Sequence, residues 1–278
     1  MRKFSCLLIY KYRSEIVPVF FKNALHVLGF RPLYMDVFID ENNILYDIEF
    51  NESEVFSFLD KGVTTVVLKN QLYDESGNNH WFRFSIDKTY YNVIRLQWLD
   101  ERLDFLIDSS YFQSLLNPNF LICGYCYDHD DVFLESNTDI RYYMSKNNSS
   151  PYATTKNQFG DDIIDVSKNW GRSESACGLE FLAAPLMWFG KSFFEIIPKG
   201  DFLKFESGIV KNNNDEMISI TLFDLVDLPM KHENRRKQEN FWLSFDLKNK
   251  IESYRKSHSI DLEKWIKDLT VLNRTKKK

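Results

Sequence analysis

Residues 123–131 read CGYCYDHDD and place two cysteines, one histidine and three aspartates within nine positions. Three kinds of chemistry use such a set. A C-x-x-C pair can give two thiolates to zinc, but a structural zinc site takes four ligands, and the other cysteines, Cys6 and Cys177, stand alone in the sequence. If the run entered by NFLI is a strand, Cys123 and Cys126 also point to opposite faces and cannot close on one ion. CGYC has the spacing of a dithiol redox tetrapeptide as well. That chemistry needs its first cysteine at a helix N-terminus, where the dipole lowers the thiol pKa. The adjoining YDHDDVFLES reads as a poor helix start crowded with anions, and nearby carboxylates disfavour a thiolate.

The third chemistry is hard-cation binding. Asp128, His129, Asp130 and Asp131, with Glu135 and Asp139 beyond them, could hold a divalent ion in the manner of a metal-dependent hydrolase. FGDDIIDVSKNWGR adds Asp161, Asp162 and Asp165, which could converge on the first group. No zinc-hydrolase helix motif, P-loop, dinucleotide-binding glycine pattern or nucleophile elbow accompanies them. Acidic residues also crowd the solvent-facing ends of strands, and that plainer reading is preferred. CGYCYDHDD is therefore read as a strand running into an acidic turn, with Cys123 and Cys126 as ordinary small residues. In SKNWGR, Gly171 is expected to supply backbone freedom in a tight turn. Arg172 there could bind a carboxylate or phosphate, or cap the turn.

These side chains must be held by the elements around them. RPLYMDVFID alternates, with Leu33, Met35, Val37 and Ile39 on one face. HWFRFSID repeats the pattern through Phe82, Phe84 and Ile86, and YNVIRLQWL through Ile94, Leu96 and Trp98. VTTVVLK is β-branched, NNILYDIEF pairs with the strand ending at Asp40 through a DENN turn, and EMISITLFDLVD forms a late strand. SEIVPVFFKNALHVLGF reads as a helix with Pro18 in its first turn and a stop near Gly29. DERLDFLIDSSYFQSLL sets Leu103, Ile107, Tyr111 and Leu115 four apart on one buried stripe. ENRRKQENFWLSFDLKNKIESYRK reads as one helix burying Phe241 and Phe245. SIDLEKWIKDL reads as another, with Leu262, Ile266 and Leu269 at helical spacing, Ser259 as cap, and Asp261 and Glu263 opposing the macrodipole. The sum is an α+β protein: a mostly antiparallel sheet with packed helices and a helical C-terminus. It is read as one unit over residues 1–278, with the polar stretch 145–160 as a surface loop or a linker between two lobes.

Composition supports a packed core. Of the 278 residues, 44% are hydrophobic and 16% aromatic, with only 10 Gly and 7 Pro. The formal charge of -5 is uneven: residues 229–278 carry 14 Lys/Arg against 7 Asp/Glu, leaving 21 against 33 for residues 1–228. ENRRKQ and the terminal RTKKK could touch nucleic acid, but the sequence pI of about 5.6 argues against it as the main partner. Four scattered cysteines suit a reducing compartment. The first apolar run ends at Tyr10, too early for a signal peptide, and no stretch reaches the length of a membrane span. A cytoplasmic protein without cofactor, metal or membrane partner is expected.

The order FLICGYCYDHDDVFLESNTDIRYY, then DIIDVSKNWGR, then LMWFGKSFFEIIPKGDFLKF, within residues 118–206, resembles bacterial immunity-type proteins, the partners that neutralise toxins encoded beside them. The resemblance implies a cytoplasmic α+β binder with no catalytic residues that occludes a toxin's active site. An acidic surface would speed association with a basic toxin domain. Asp128, Asp130, Asp131 and Glu135 would be its contacts, together with Arg172. The alternative is the metal-dependent hydrolase built on Asp128–Asp131.

Overall fold

Strands dominate wherever apolar residues alternate. The computed structural model describes residues 2–28, 30–40, 43–61, 63–71, 80–87, 93–100, 106–145, 153–157, 159–214 and 216–258. Its strands are β1 (Phe4–Lys11), β2 (Tyr34–Asp40), β3 (Asn43–Glu49), β4 (Thr65–Lys69), β5 (Trp81–Asp87), β6 (Val93–Asp100), β7 (Leu121–Asp128), β8 (Thr154–Lys156), β9 (Asp162–Ile164), β10 (Ser173–Ala176), β11 (Leu179–Leu182), β12 (Leu186–Gly190), β13 (Ile209–Asn214) and β14 (Met217–Thr221). Ten form one sheet in the order β13-β14-β12-β7-β1-β6-β5-β4-β2-β3, and β8-β9 and β10-β11 form two small hairpins. All pairs in the large sheet are antiparallel. The N-terminal strand sits in the middle, between β6 and β7. Strands from before and after residues 145–160 are neighbours, because β7 pairs directly with β12.

The helices are α1 (Val17–Val27), α2 (Glu52–Asp60), α3 (Ser110–Leu115), α4 (His129–Ser136), α5 (Ile140–Ser145), α6 (Lys199–Phe202), α7 (His232–Ser244) and α8 (Leu247–Ser257). The architecture is α+β, with helices on both faces of the sheet and α7 and α8 at the end of the described chain. On one face α1, α2 and α3 bury Phe20, Phe21, Val55 and Phe112 against Met35, Val66, Phe82, Phe84, Leu96 and Trp98. Phe21 makes edge contacts with Phe56, Phe82 and Phe84 there. On the other face α4, α6, α7, α8 and the β10-β11 hairpin cover Leu7, Ile9, Tyr125, Met187, Phe189 and Ile220. Phe189 stacks on Phe202 at 4.7 Å between ring centroids and meets Phe193 and Phe241. Each such buried ring contributes roughly 1.5–3 kcal/mol of hydrophobic stabilisation.

Two helix expectations change. The stripe expected over 100–116 is interrupted: Ser109 caps α3 by accepting from the Phe112 amide at 3.2 Å. Tyr111 is turned outward, 51% exposed and stacked on His26 at 4.9 Å. Leu103 lies outside the described residues. The single helix expected from residue 233 to 256 is two, because Asp246 takes a left-handed conformation (φ 47°) between α7 and α8. At about 100° per residue, Leu247 and Ile251 would lie about 120° from the Phe241–Phe245 stripe on a straight helix. The break lets all four side chains bury in one cluster. The DENN turn, half of the 145–160 loop, Gly29, and the SIDLEKWIKDL helix with the terminal RTKKK fall wholly or partly outside the described residues.

Candidate functional site

Register on β7 explains CGYC. Cys6 and Cys126 are opposite one another and face the α1 side, whereas Cys123 faces the α7 side. The spacing therefore divides the two thiols between opposite cores. Burial pushes the Cys123 thiol up to about 12 and raises Cys6 as well, so neither is a thiolate near neutral pH. Gly124 lies between them because a Cβ there would come within 2.6 Å of Leu8 Cδ2.

The chain leaves β7 directly into a helix, correcting the acidic turn. Asp128 is the N-cap of α4 and accepts from the Asp131 amide at 3.0 Å. Asp130 and Asp131 occupy the first turn, where negative charge opposes the positive end of the helix dipole. The run of anions is thus a start signal for the helix. It still puts no cysteine at the helix N-terminus, since Cys126 lies within the strand.

The carboxylates of this cluster are largely taken up inside the fold. Arg2 donates to Asp128 Oδ2 at 2.7 Å. Arg235 of α7 grips Asp131 with both nitrogens, at 3.0 and 2.5 Å, and lies 3.2 Å from Glu135 Oε1. Burial pushes the Asp131 carboxyl up from its ordinary value, and Arg235 pulls it part of the way back. Arg235 also donates to Gln238 Oε1, and Gln238 donates in turn to the Ala183 carbonyl at 2.8 Å. The other Glu135 oxygen accepts from the Gly171 amide at 3.3 Å. Asn169 Nδ2 donates to the Glu135 carbonyl, closing SKNWGR against the end of α4.

Gly171 has a different role from the backbone freedom expected of it. A Cβ at that position would fall 2.3 Å from Arg235 Nη1 and 3.1 Å from Glu135 Cγ, so the residue is there for close approach. Arg172 is buried too. Its guanidinium lies 4.0 Å from the centre of the Trp242 ring and donates to the Asn169 carbonyl at 3.0 Å. Burial lowers its pKa. Of the five residues expected to meet a partner, Asp130 alone is exposed, while Asp128, Glu135 and Arg172 are buried and Asp131 is mostly so.

Next to Asp130 lies a shallow depression of about 380 Å³ lined by Tyr127, His129, Phe133, Ser136, Thr138 and Ser173, among others. Phe133 is 47% exposed there and edges onto Tyr142. His129 Nδ1 is 2.9 Å from Ser5 Oγ, and burial lowers its pKa against the opposing effect of Asp130 and Asp128. The second acidic group serves turn geometry: Asp161 accepts from Asn157, Asp162 pairs with Lys156 at 2.8 Å, and Asp165 accepts from the Ser167 amide. Among the described residues no three or more His, Cys, Asp or Glu side chains are grouped to hold a metal ion. None of the described helices is long and apolar enough to cross a membrane.

A larger acidic groove lies at the far edge of the sheet, where β3 passes into α2. It has a volume of about 860 Å³ and is lined by exposed Glu49, Glu52, Glu54 and Arg31 together with Leu33, Leu45 and Phe58. Leu33 and Leu45 are 47% and 38% exposed. The sequence carried a signal for it: Asn51 with Glu54 three residues later is a capping pattern, and Asn51 does cap α2 by accepting from the Ser53 amide at 3.0 Å.

The fold and this surface define an α+β protein with a paired internal charge network and an acidic, partly apolar groove at one sheet edge. No protein-family model and no curated protein matches the chain.

Proposed function

We propose that this chain is a protein-binding protein of the immunity type, which takes a basic segment of a partner toxin into the groove between β3 and α2 and so occludes the toxin. The groove carries this reading. It brings exposed apolar side chains, Leu33 and Leu45, together with three exposed carboxylates and one arginine, Arg31, a mixture of apolar and charged groups that a specific interface can use. The surplus of acid over base in residues 1–228 would steer a basic partner toward it and make the association salt-dependent. In this reading Asp128, Asp131, Glu135 and Arg172 hold the scaffold, and Asp130 with Phe133 offers a second contact at the α4 end.

The test is capture and then rescue. A tagged chain is used to recover partners from its cells of origin in EDTA, and each captured protein is expressed alone and with the chain. The proposal requires a partner that arrests growth alone and is silenced by the chain. Glu49→Lys/Glu52→Lys/Glu54→Lys should abolish the rescue; reversing the two first-turn charges of α2 should itself cost about 1–2 kcal/mol, so Glu49→Lys/Glu52→Gln/Glu54→Gln, which should also lose the rescue, serves as the milder control. No toxic partner, or full rescue by the charge-reversed variant, overturns it.

A further inference from the structure

A cleft on the α8 side of the sheet is assembled from distant parts of the chain. It has a volume of about 790 Å³, a size that suits a small organic ligand. Lys11 ends β1, Val93 opposite it begins β6, and Ile122 is the second residue of β7. The cleft therefore lies at one end of three neighbouring strands. Leu179 at the start of β11, the short helical turn Lys191–Glu195 and α8 complete it.

The chemistry of the lining is divided. Val93, Ile122 and Leu179 are apolar and buried. On α8, Leu247 and Ile251 anchor the helix in the core. Beside them Lys250, Ser253 and Ser257 recur every three or four residues, so one polar helix face borders the cleft. Ser192 adds a further hydroxyl. Among the described residues neither Lys11 nor Lys250 is paired with a carboxylate. Glu195 is the only acid among the described lining residues, so cations outnumber anions there. This happens in a chain whose residues 1–228 carry 33 acids against 21 bases.

That combination selects a ligand class. A basic protein segment would meet two unpaired lysines. A wholly apolar molecule would strip water from the lysines and serines and return no hydrogen bond. A small organic anion satisfies both parts of the lining, because its head accepts charge-assisted hydrogen bonds and its body covers the apolar side chains. We infer that this cleft binds a small organic oxyanion, a phosphate ester or carboxylate with an aromatic or other apolar body, whose head draws on Lys11, Lys250 and the α8 serines. The site is separate from the groove between β3 and α2 and does not rest on the partner proposed for it.

Equilibrium dialysis of the full chain against naphthyl phosphate, naphthoate and the neutral naphthol, followed by naphthyl fluorescence, tests it. At least one of the two anions should saturate a single site with a Kd of about 1 mM or below, and the stronger one identifies the head. Naphthol should bind at least about tenfold more weakly, the size of one charge-assisted hydrogen bond. Lys11→Gln/Lys250→Gln should weaken the anion by a similar factor, whereas Lys211→Gln, on the β13 edge strand, should bind like the parent. In the unmodified chain the bound anion should slow acetylation of Lys11 and Lys250 but not of Lys211, read by peptide mass spectrometry. No saturable binding of either anion overturns the inference. So does naphthol binding as tightly as the anions, a double variant that binds like the parent, or acetylation of Lys11 and Lys250 that the anion leaves unchanged.

Discussion

Replacing Arg235 with methionine isolates the charge network that joins α4 to α7. The guanidinium side chain is 20% exposed, and the Asp131 and Glu135 side chains 11% and 7%. Arg235→Met keeps most of the stem packing and removes the charge, leaving two carboxylates in a poorly hydrated site. Breaking a buried pair in this way costs about 3–5 kcal/mol. Taking 3 kcal/mol, the folded-to-unfolded ratio falls by a factor of about 150. The deficit should depend on pH. Burial already holds the Asp131 carboxyl above its ordinary value, and losing Arg235 removes the opposing pull. A folded-state pKa raised in this way means that the unfolded chain releases its proton first, so stability falls as pH rises from the unfolded through the folded pKa. Urea unfolding at pH 7 and pH 4.5 should therefore show a smaller deficit at the lower pH. The neutral triple variant Asp131→Asn/Glu135→Gln/Arg235→Met should recover most of the loss at pH 7. An Arg235→Met protein within about 1 kcal/mol of the parent at pH 7, or a deficit that widens in acid, would refute a buried, mutually compensating network.

Asp128→Ala should cost about 1–2 kcal/mol by removing the α4 cap, whereas Asp128→Asn keeps an acceptor for the Asp131 amide and should cost less; chemical denaturation of the two variants decides. Gly190→Ala places a Cβ 1.9 Å from the Leu121 carbonyl oxygen, and since that neighbour is central-sheet backbone, a loss of at least about 2 kcal/mol is expected. Gly200→Ala, with open space around the new methyl, should be neutral or gain up to about 1 kcal/mol, measured as a Tm difference. Iodoacetamide at pH 8 should label the half-exposed Cys177 and leave Cys6, Cys123 and Cys126 unmodified until urea is added, as read by mass spectrometry. Rapid native labelling of Cys123 would contradict a thiol pushed up to about 12.

The sequence by itself determined the clearly alternating strands and most of their inner faces, though not β8–β13, and Leu33 and Ile39 are exposed where alternation placed them with Met35 and Val37. Phe82, Phe84 and Ile86, and Ile94, Leu96 and Trp98, are buried where period-two alternation placed them. It also separated Cys123 from Cys126, because a strand's side chains alternate whatever its neighbours are. Helix continuity was less legible: the Asp246 break and the outward turn of Tyr111 answer to how side chains from elsewhere fill the core. The state of the acidic cluster could not be read at all. Asp128, Asp131 and Glu135 look like a free anionic surface in CGYCYDHDDVFLE, since their partners, Arg2 and Arg235, lie 126 residues before Asp128 and 104 after Asp131. Gly171 looks like a turn glycine until α7 is brought against it. Local periodicity is written in neighbouring residues, so it survives in the sequence. Charge pairing and close approach depend on which distant segments the sheet order β7-β1 and the packing of α7 bring together, and only the tertiary structure decided those.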